Sequence, residues 1–442
     1  MKKTLLISFL FICSHSFSQT ISTTGSLVTA RCAHESQVLS NGKVLAMGGD
    51  NYNLGNFATY KSCELYDPAT ALWTTAANMN DLRSCFSSIL LNNGKVLVMG
   101  GIVGEYYSGS GTTYTRKSCE IYDPTTNTWA RTDSMQTARE GRFAIKLNNG
   151  KVLAAGGGTN LCEIYDPATG QWSSTGAMSS IRVRHTVALL NNGNVLASGG
   201  FFSLSSEVYN TTTGTWSASG NMSNTHTFHS ATLLGNNNVL ITSGGSPDCE
   251  IYNPSTNIYT VTGDVFRERN NCPQILLNNG TVLIFGLANI FSPLSTECIE
   301  VYNPTSGTWS KTIYNTGTYA GAVNYTIHKL SNNKILIVGG TFTTGNGATN
   351  ICYLLTQLPV GIYDLDNENS QDIYPNPVLH TIHLPIEVSE GNIEVTIYDM
   401  TNKKILTTVI SKNQPNIDVS TLTKGPYYLK TADSRLQKFI KL

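Results

Sequence analysis

Leu91-Asn92-Asn93-Gly94-Lys95-Val96-Leu97-Val98-Met99-Gly100-Gly101 is a polar turn, a short apolar run and a glycine pair. Cys119-Glu120-Ile121-Tyr122-Asp123-Pro124 and Trp129 follow it. An Asn-Gly turn leading into four apolar residues reads as a tight hairpin entering a buried strand. The apolar core recurs seven times, starting at Lys43, Lys95, Lys151, Asn194, Asn238, Thr281 and Lys334. A Glu-x-Tyr-Asp/Asn strand follows at Glu64, Glu120, Glu163, Glu207, Glu250 and Glu300, and then an aromatic at Trp73, Trp129, Trp172, Trp216, Tyr259 and Trp309. Ten residues beyond the aromatic stand Arg83, Arg139, Arg182 and Arg269, with His226 and Tyr319 in the other two copies. A repeat of roughly 40–50 residues decides the architecture before any single residue does, because each unit buries its apolar face only against its neighbours.

Four strands per unit, the glycine pair and the late Trp together resemble the kelch repeat over about residues 21–357, within a propeller domain expected at 19–357. The resemblance implies an all-β fold, a β-propeller of four-stranded blades around a channel, the scaffold that galactose oxidase also uses. Seven inner strand pairs stand against only six Trp strands, and the N-terminus supplies the seventh. Residues 21–27 match 172–178, and Arg31 falls ten positions after Ile21 as Arg182 does after Trp172. We therefore expect seven blades, the last closed by the N-terminal strand.

Residues 1–18 read as a signal peptide. Lys2 and Lys3 precede an apolar stretch too short to span a bilayer, and small residues precede Gln19. Ile12 is too bulky for a lipidation signal at Cys13. Residues 358–372 are a polar linker. Beyond them come Tyr374-Pro375-Asn376-Pro377, Val395-Thr396-Ile397-Tyr398-Asp399, Gly425-Pro426-Tyr427-Tyr428-Leu429 and Lys438-Phe439-Ile440-Lys441-Leu442. Short alternating strands of this kind suggest a small β-sandwich. Their order over 373–442 resembles the C-terminal sorting domain of the Bacteroidota type IX secretion system. Asn402 replaces the usual turn glycine. The resemblance implies the type IX machinery as a partner, outer-membrane passage, and surface attachment or release.

Zero formal net charge and 13% charged residues give no electrostatic footing for nucleic acid, and no later segment is apolar enough to cross a membrane. Nine cysteines remain after Cys13; those before the repeated Glu read as small buried residues rather than disulfide partners. Residues recurring around the ring are expected to be scaffold, since catalysis needs one site rather than six copies. We expect each Glu to pair with the Arg or a backbone group near the next blade, and Glu163 with Arg182 across the blade interface. His34, His185 and His229 share a position with Phe86, Arg142, Cys272 and Ala322, thirteen residues after the aromatic. His185, His229 and Cys272 are a weak metal alternative, and His226 and His229, three apart on a strand, are expected on opposite faces. No cofactor is expected.

Loops after the glycine pair are long in blades six, seven, one and two, at 287–296, 341–350, 50–62 and 102–118. They carry Tyr52, Tyr60, Tyr106, Tyr107, Tyr114, Phe291 and Phe342, expected to form a lopsided binding face. The function expected is that of a secreted or surface-attached binding protein for an extracellular glycan or protein. A kelch-type sugar oxidase, lyase or epimerase and a structural adhesin are the alternatives.

Overall fold

A computed structural model of the chain describes residues 21–51, 56–107, 110–266, 268–286, 297–314, 322–342, 347–356, 380–383, 393–399, 403–411, 416–431 and 436–441. The expected signal peptide and linker lie outside them. The chain divides into two compact units, Met1–Gly361 and Ile362–Leu442.

The first unit is a β-propeller whose described residues form seven four-stranded antiparallel sheets. Blade 1 runs Glu35–Val38, Val44–Met47, Cys63–Asp67 and Leu72–Ala76 from the channel outward. The second strand of a blade is buried along its length, as in Val44–Met47, Val96–Met99 and Val152–Ala155. A flat apolar run with a neighbouring blade on each side satisfies that burial without alternation. The turn before it is held by Gly94, at φ +78°, and by the Asn93 side chain accepting from the Lys95 amide at 3.1 Å.

Blade 7 comprises Thr326–Lys329, Ile335–Val338 and Cys352–Leu355, and its outer strand is Ile21–Thr23, paired Ile21 to Leu355 and Thr23 to Tyr353. This strand makes the inter-blade contacts the other outer strands make. Thr24 and Tyr66 share a hydroxyl hydrogen bond of 2.8 Å, as Thr132 and Tyr165 (2.9 Å) and Thr262 and Tyr302 (2.6 Å) do. The Gly25 amide donates to Ala71 as Gly176 donates to Gly214 and Gly263 to Gly307. Inner strands of neighbouring blades touch all the way round, Thr326–Lys329 against Glu35–Val38 included.

The outer aromatics pack between blades. Trp73, Trp172, Tyr259 and Trp309 are buried and Trp129 and Trp216 half-buried. The repeated cysteine explains part of this. The Cys119 sulfur lies against the indole of Trp172, Cys162 against Trp216 and Cys352 against Trp73, each from one blade to the next. Burial pushes the Cys119 and Cys352 thiols up to about 12. Cys32, Cys63, Cys85, Cys119, Cys162, Cys249, Cys272 and Cys352 are free. Blade 4 has Ser206 at the cysteine position and blade 5 has Tyr259 at the tryptophan position, and the two hydroxyls bond at 2.7 Å. The paired exchange restores a contact that either change alone would break. Tyr259→Phe is expected to destabilise the propeller by about 1–3 kcal/mol, the penalty for an unpartnered buried hydroxyl. Adding Ser206→Ala should recover part of it. Thermal melting of the single and double variants checks this, and strictly additive losses would contradict the coupling.

In the second unit, Lys404–Ile410, Ile393–Asp399, Gly425–Thr431 and Leu436–Lys441 form one sheet, and Thr381–His383 pairs with Asn416–Asp418 in another. Ile382 and Ile417 from the small sheet share a buried cluster with Val395, Ile397, Ile410 and Leu429 from the large one, a small sandwich. Asn402 lies outside the described residues.

Candidate functional site at the channel mouth

The Arg–Glu pairs are the buried ion pairs of the propeller's described residues, and each is a clamp. Arg139 bonds Glu163 at 2.8 Å and donates to the carbonyls of Gly156 and Leu161, while Glu163 accepts from the amides of Gln136 and Thr137. The expected Glu163–Arg182 pair is therefore corrected: Arg182 binds Glu207 at 3.0 Å. The Arg precedes the inner strand of a blade and meets the Glu on the third strand of that same blade. Arg31–Glu64, Arg83–Glu120 and Arg269–Glu300 repeat the arrangement, and His226 reaches Glu250 at 3.2 Å in blade 5. Every copy is occupied in holding the connection between blades.

The position thirteen residues past the aromatic is a wedge. A Cβ on Gly48 would come within 3.0 Å of Phe86, on Gly156 within 2.3 Å of His185, on Gly199 within 3.0 Å of His229 and on Gly339 within 3.1 Å of His34. At Gly48, Gly100, Gly156, Gly199 and Gly339 the first glycine of the pair thus makes room for a ring from the next blade, which accounts for the motif there. In blade 7 the wedge is Tyr325 rather than the expected Ala322, because the connection from Trp309 is three residues longer. In blade 3 Phe143 packs against Gly100 instead, one residue late. Arg142 is thereby freed and bonds Glu35 of blade 1 at 3.1 Å.

Burial holds the wedge imidazoles neutral. It drives His34 well below the usual range, His185 to about 4 and His229 to about 3. His185 Nε2 bonds the Ala155 carbonyl at 3.0 Å, His229 Nε2 the Thr186 hydroxyl at 2.9 Å, and the Cys272 thiol donates to Asn270 at 3.5 Å. Each member of the suggested metal set thus has its own protein partner. Among the described residues no three His, Cys, Asp or Glu side chains gather to hold a metal ion. The rings of His226 and His229 lie 5.7 Å apart, correcting the expectation of opposite faces. Phe228, at φ +61°, turns the chain between them.

The residue before each wedge, or two before it in blade 3 where the wedge comes one residue late, lines the channel mouth. Ala33, Cys85, Gly141, Arg184, Phe228, Asn271 and Asn324 all have left-handed backbone, φ between +48° and +84°. Four are neither glycine nor asparagine and carry roughly 1–2 kcal/mol of strain each. The conformation lets each amide donate to the carbonyl of the preceding blade: Ala33 to Asn324, Cys85 to Ala33, Gly141 to Cys85, Phe228 to Arg184, Asn271 to Phe228 and Asn324 to Asn271. The remaining step, Arg184 to Gly141, is not made, and the Gly141 carbonyl accepts from the Ser87 hydroxyl at 2.9 Å instead. Inside the ring is a cavity of about 190 Å³. Arg142 and Glu35 bridge its wall, and burial raises the Glu35 carboxyl although Arg142 opposes the shift. The exposed Arg184 lays its guanidinium 4.0 Å from the Phe228 ring centroid and 5.8 Å from that of Phe201.

Ile102 lines this cavity and opens the long segment of blade 2. Ile102–Tyr107 pairs with Ser110–Thr115 and with Asn56–Ala58 from blade 1, forming a three-stranded sheet beside the mouth. The Ala348 amide of blade 7 donates to Asn51 of blade 1 at 2.8 Å. Tyr114 is exposed, with Arg116 over its ring at 5.2 Å. Tyr60 is half-buried beside Arg31. Tyr106, Tyr107 and Phe342 lie on paired strands, their side chains outside the described set. Tyr52 and Phe291 lie outside the described residues.

Residues 83–136 match the Kelch motif, and residues 372–442 match the secretion system C-terminal sorting domain. The chain is a kelch propeller with a type IX secretion sorting domain. That domain marks the protein for export to the cell surface or secretion. The kelch region is 34% identical over 116 residues to mouse Kelch-like protein 28, covering 26% of this chain and 19% of that protein. It is 32% identical over 125 residues to an F-box/kelch-repeat protein of Arabidopsis thaliana, covering 28% and 30%. The chain spans under a third of the length of these curated relatives. A structural neighbour, a fungal alcohol oxidase of the AA5 family in complex with copper, superposes with a TM-score of 0.60 at 15% identity, over 96% of this chain and 98% of that one. At that identity the likeness is one of fold.

In this kelch propeller, reading the repeat named Arg142 only as an occupant of the wedge position and did not find Arg184, Glu35 or Glu140 at the mouth. The available signal was the ring of positions just ahead of the wedges, whose residue types vary from blade to blade, with only Asn occurring twice, and so never register as a motif.

Proposed function

We propose that this exported kelch propeller is a binding protein for an extracellular glycan or protein, which it engages on the face where the channel mouth meets the long segments of blades 7, 1 and 2. The observation that carries the reading is the shared sheet formed by Asn56–Ala58, Ile102–Tyr107 and Ser110–Thr115, which fixes the exposed Tyr114 beside the cavity. A loop ordered by pairing with its neighbour presents its aromatic at low entropic cost. Arg116 donates to the Leu82 carbonyl at 3.0 Å and to the Tyr114 hydroxyl at 3.2 Å, so the ring is held from below.

Copper, held by the fungal neighbour, does not fit the donors here. Copper(II) takes imidazole nitrogen in open tetragonal sites, whereas His34, His185 and His229 are buried, His328 is half-buried, and all four are hydrogen-bonded to protein. The Nδ1 atoms of His34 and His229 lack partners but belong to blades 1 and 5. The mouth presents guanidinium, carboxylate and amide groups instead. A glycan array probed with the exported protein tests the reading. Binding should be saturable and should fall about tenfold or more when residues 104–115 are deleted, the weight of one aromatic anchor. Binding that ignores the deletion would overturn this placement.

A further inference from the structure

Four side chains around the mouth make no hydrogen bond or ion pair among the described residues: Arg184, Glu140, Asn271 and Asn324. The other charged pair of the mouth, Glu35 and Arg142, is mutually satisfied, and the wedge histidines are neutral. One cation, one carboxylate and two amides are therefore left to a ligand. Arg184 is presented rather than stored: it is exposed, it lines the cavity, and its guanidinium carbon stands over the Phe228 ring, 4.0 Å from the centroid. A planar fork on an aromatic shelf matches a carboxylate.

We infer that the cavity binds a single sugar residue bearing a carboxylate, with Arg184 holding the carboxylate and Glu140, Asn271 and Asn324 holding hydroxyls. Glu140 accepts from a hydroxyl, and each amide both donates and accepts. An isolated acidic side chain of a peptide would use Arg184 and leave the other three groups desolvated without partners. A carboxylated polyol uses all four. The cavity, about 190 Å³, lies below the ~300 Å³ at which ligand clefts commonly begin, which suits one ring rather than an oligosaccharide. The inference rests on the glycan reading of the same face.

Calorimetric titration of the exported protein with D-glucuronate, D-glucose and N-acetyl-L-glutamate tests it. Glucuronate should bind at least about tenfold more tightly than either of the others, the weight of one charge-assisted hydrogen bond. Arg184→Gln should weaken glucuronate about tenfold without changing glucose. Asn271→Ala, away from the charge, should weaken both sugars. Unchanged melting temperatures show that both variants fold. Equal binding of glucose and glucuronate, equal binding of N-acetyl-L-glutamate, no saturable binding of the acid, or an Arg184→Gln variant like wild type would each overturn the inference. Glycan binding that depends on residues 104–115 but not on Arg184 would remove this inference and leave the broader reading intact. An empty array alongside glucuronate binding would do the reverse.

Discussion

Arg139→Met is expected to destabilise the propeller by about 3–5 kcal/mol, the range for breaking a buried ion pair from one side. The Arg139 side chain is fully buried and its partner Glu163 nearly so, so water cannot replace the lost charge. Two carbonyls, Gly156 and Leu161, lose their donor in the same step. A domain's net stability is only about 5–15 kcal/mol, so one clamp of six represents a large share. The double variant Arg139→Met with Glu163→Gln should recover much of the loss. It removes the uncompensated charge yet keeps an acceptor for the amides of Gln136 and Thr137. Chemical denaturation of wild type, both single variants and the double variant measures the coupling. A loss below about 1 kcal/mol for Arg139→Met would place the pair among weak surface bridges and contradict the clamp. Blade 5 carries a natural variant of the experiment. There His226 spans the same gap with two bonds, to the Ser243 carbonyl at 2.5 Å and to Glu250 at 3.2 Å, in place of the multiple donors of arginine.

The strands were legible because each blade repeats the same burial problem. Four apolar residues after an Asn-Gly turn can only be a strand covered on both faces, and the structure puts them there in every blade. Partnerships between copies were less legible. Spacing alone does not say whether Glu163 meets the Arg before its blade or the one after, since both lie about twenty residues away along the chain. The direction follows from where the connection crosses, which is a property of three dimensions. Insertions mislead in the same way: three extra residues in blade 7 move the wedge from Ala322 to Tyr325, and a one-residue shift in blade 3 releases Arg142. The channel mouth was least legible. Its seven lining positions hold Ala, Cys, Gly, Arg, Phe and two Asn, and a search for recurrence discards what does not recur. They share a left-handed backbone, and chain order hides a property that Ala33, Arg184 and Phe228 adopt against their own preference. Tyr60 shows the converse: an aromatic in a long loop reads as exposed, yet its ring is half-buried beside Arg31.

Deletion of residues 19–30 should cost at least about 5 kcal/mol and abolish cooperative melting of the propeller. The estimate sums Leu27, buried to 2% exposure and worth about 2–3 kcal/mol, with roughly 1 kcal/mol for each lost backbone bond. Those bonds include Thr24 to Cys352, Gly25 to Ala71 and Leu27 to Asn350. The deletion also strips Glu64 of the Val28 and Thr29 amides, loosening the clamp with Arg31. Beyond the sum, it uncovers Cys352–Leu355 as an open edge, a template for pairing with another chain. Light scattering should therefore rise on heating together with the loss of the sharp transition. A peptide of residues 19–30 added to the deleted protein should restore cooperativity in proportion to its concentration, because it binds the folded ring and not the unfolded chain. Unchanged melting of the deleted protein would mean that blades 1 and 7 hold together without this strand. In that case the ring bond from Ala33 to Asn324, together with the packing of Thr326–Lys329 against Glu35–Val38, would have to carry the closure.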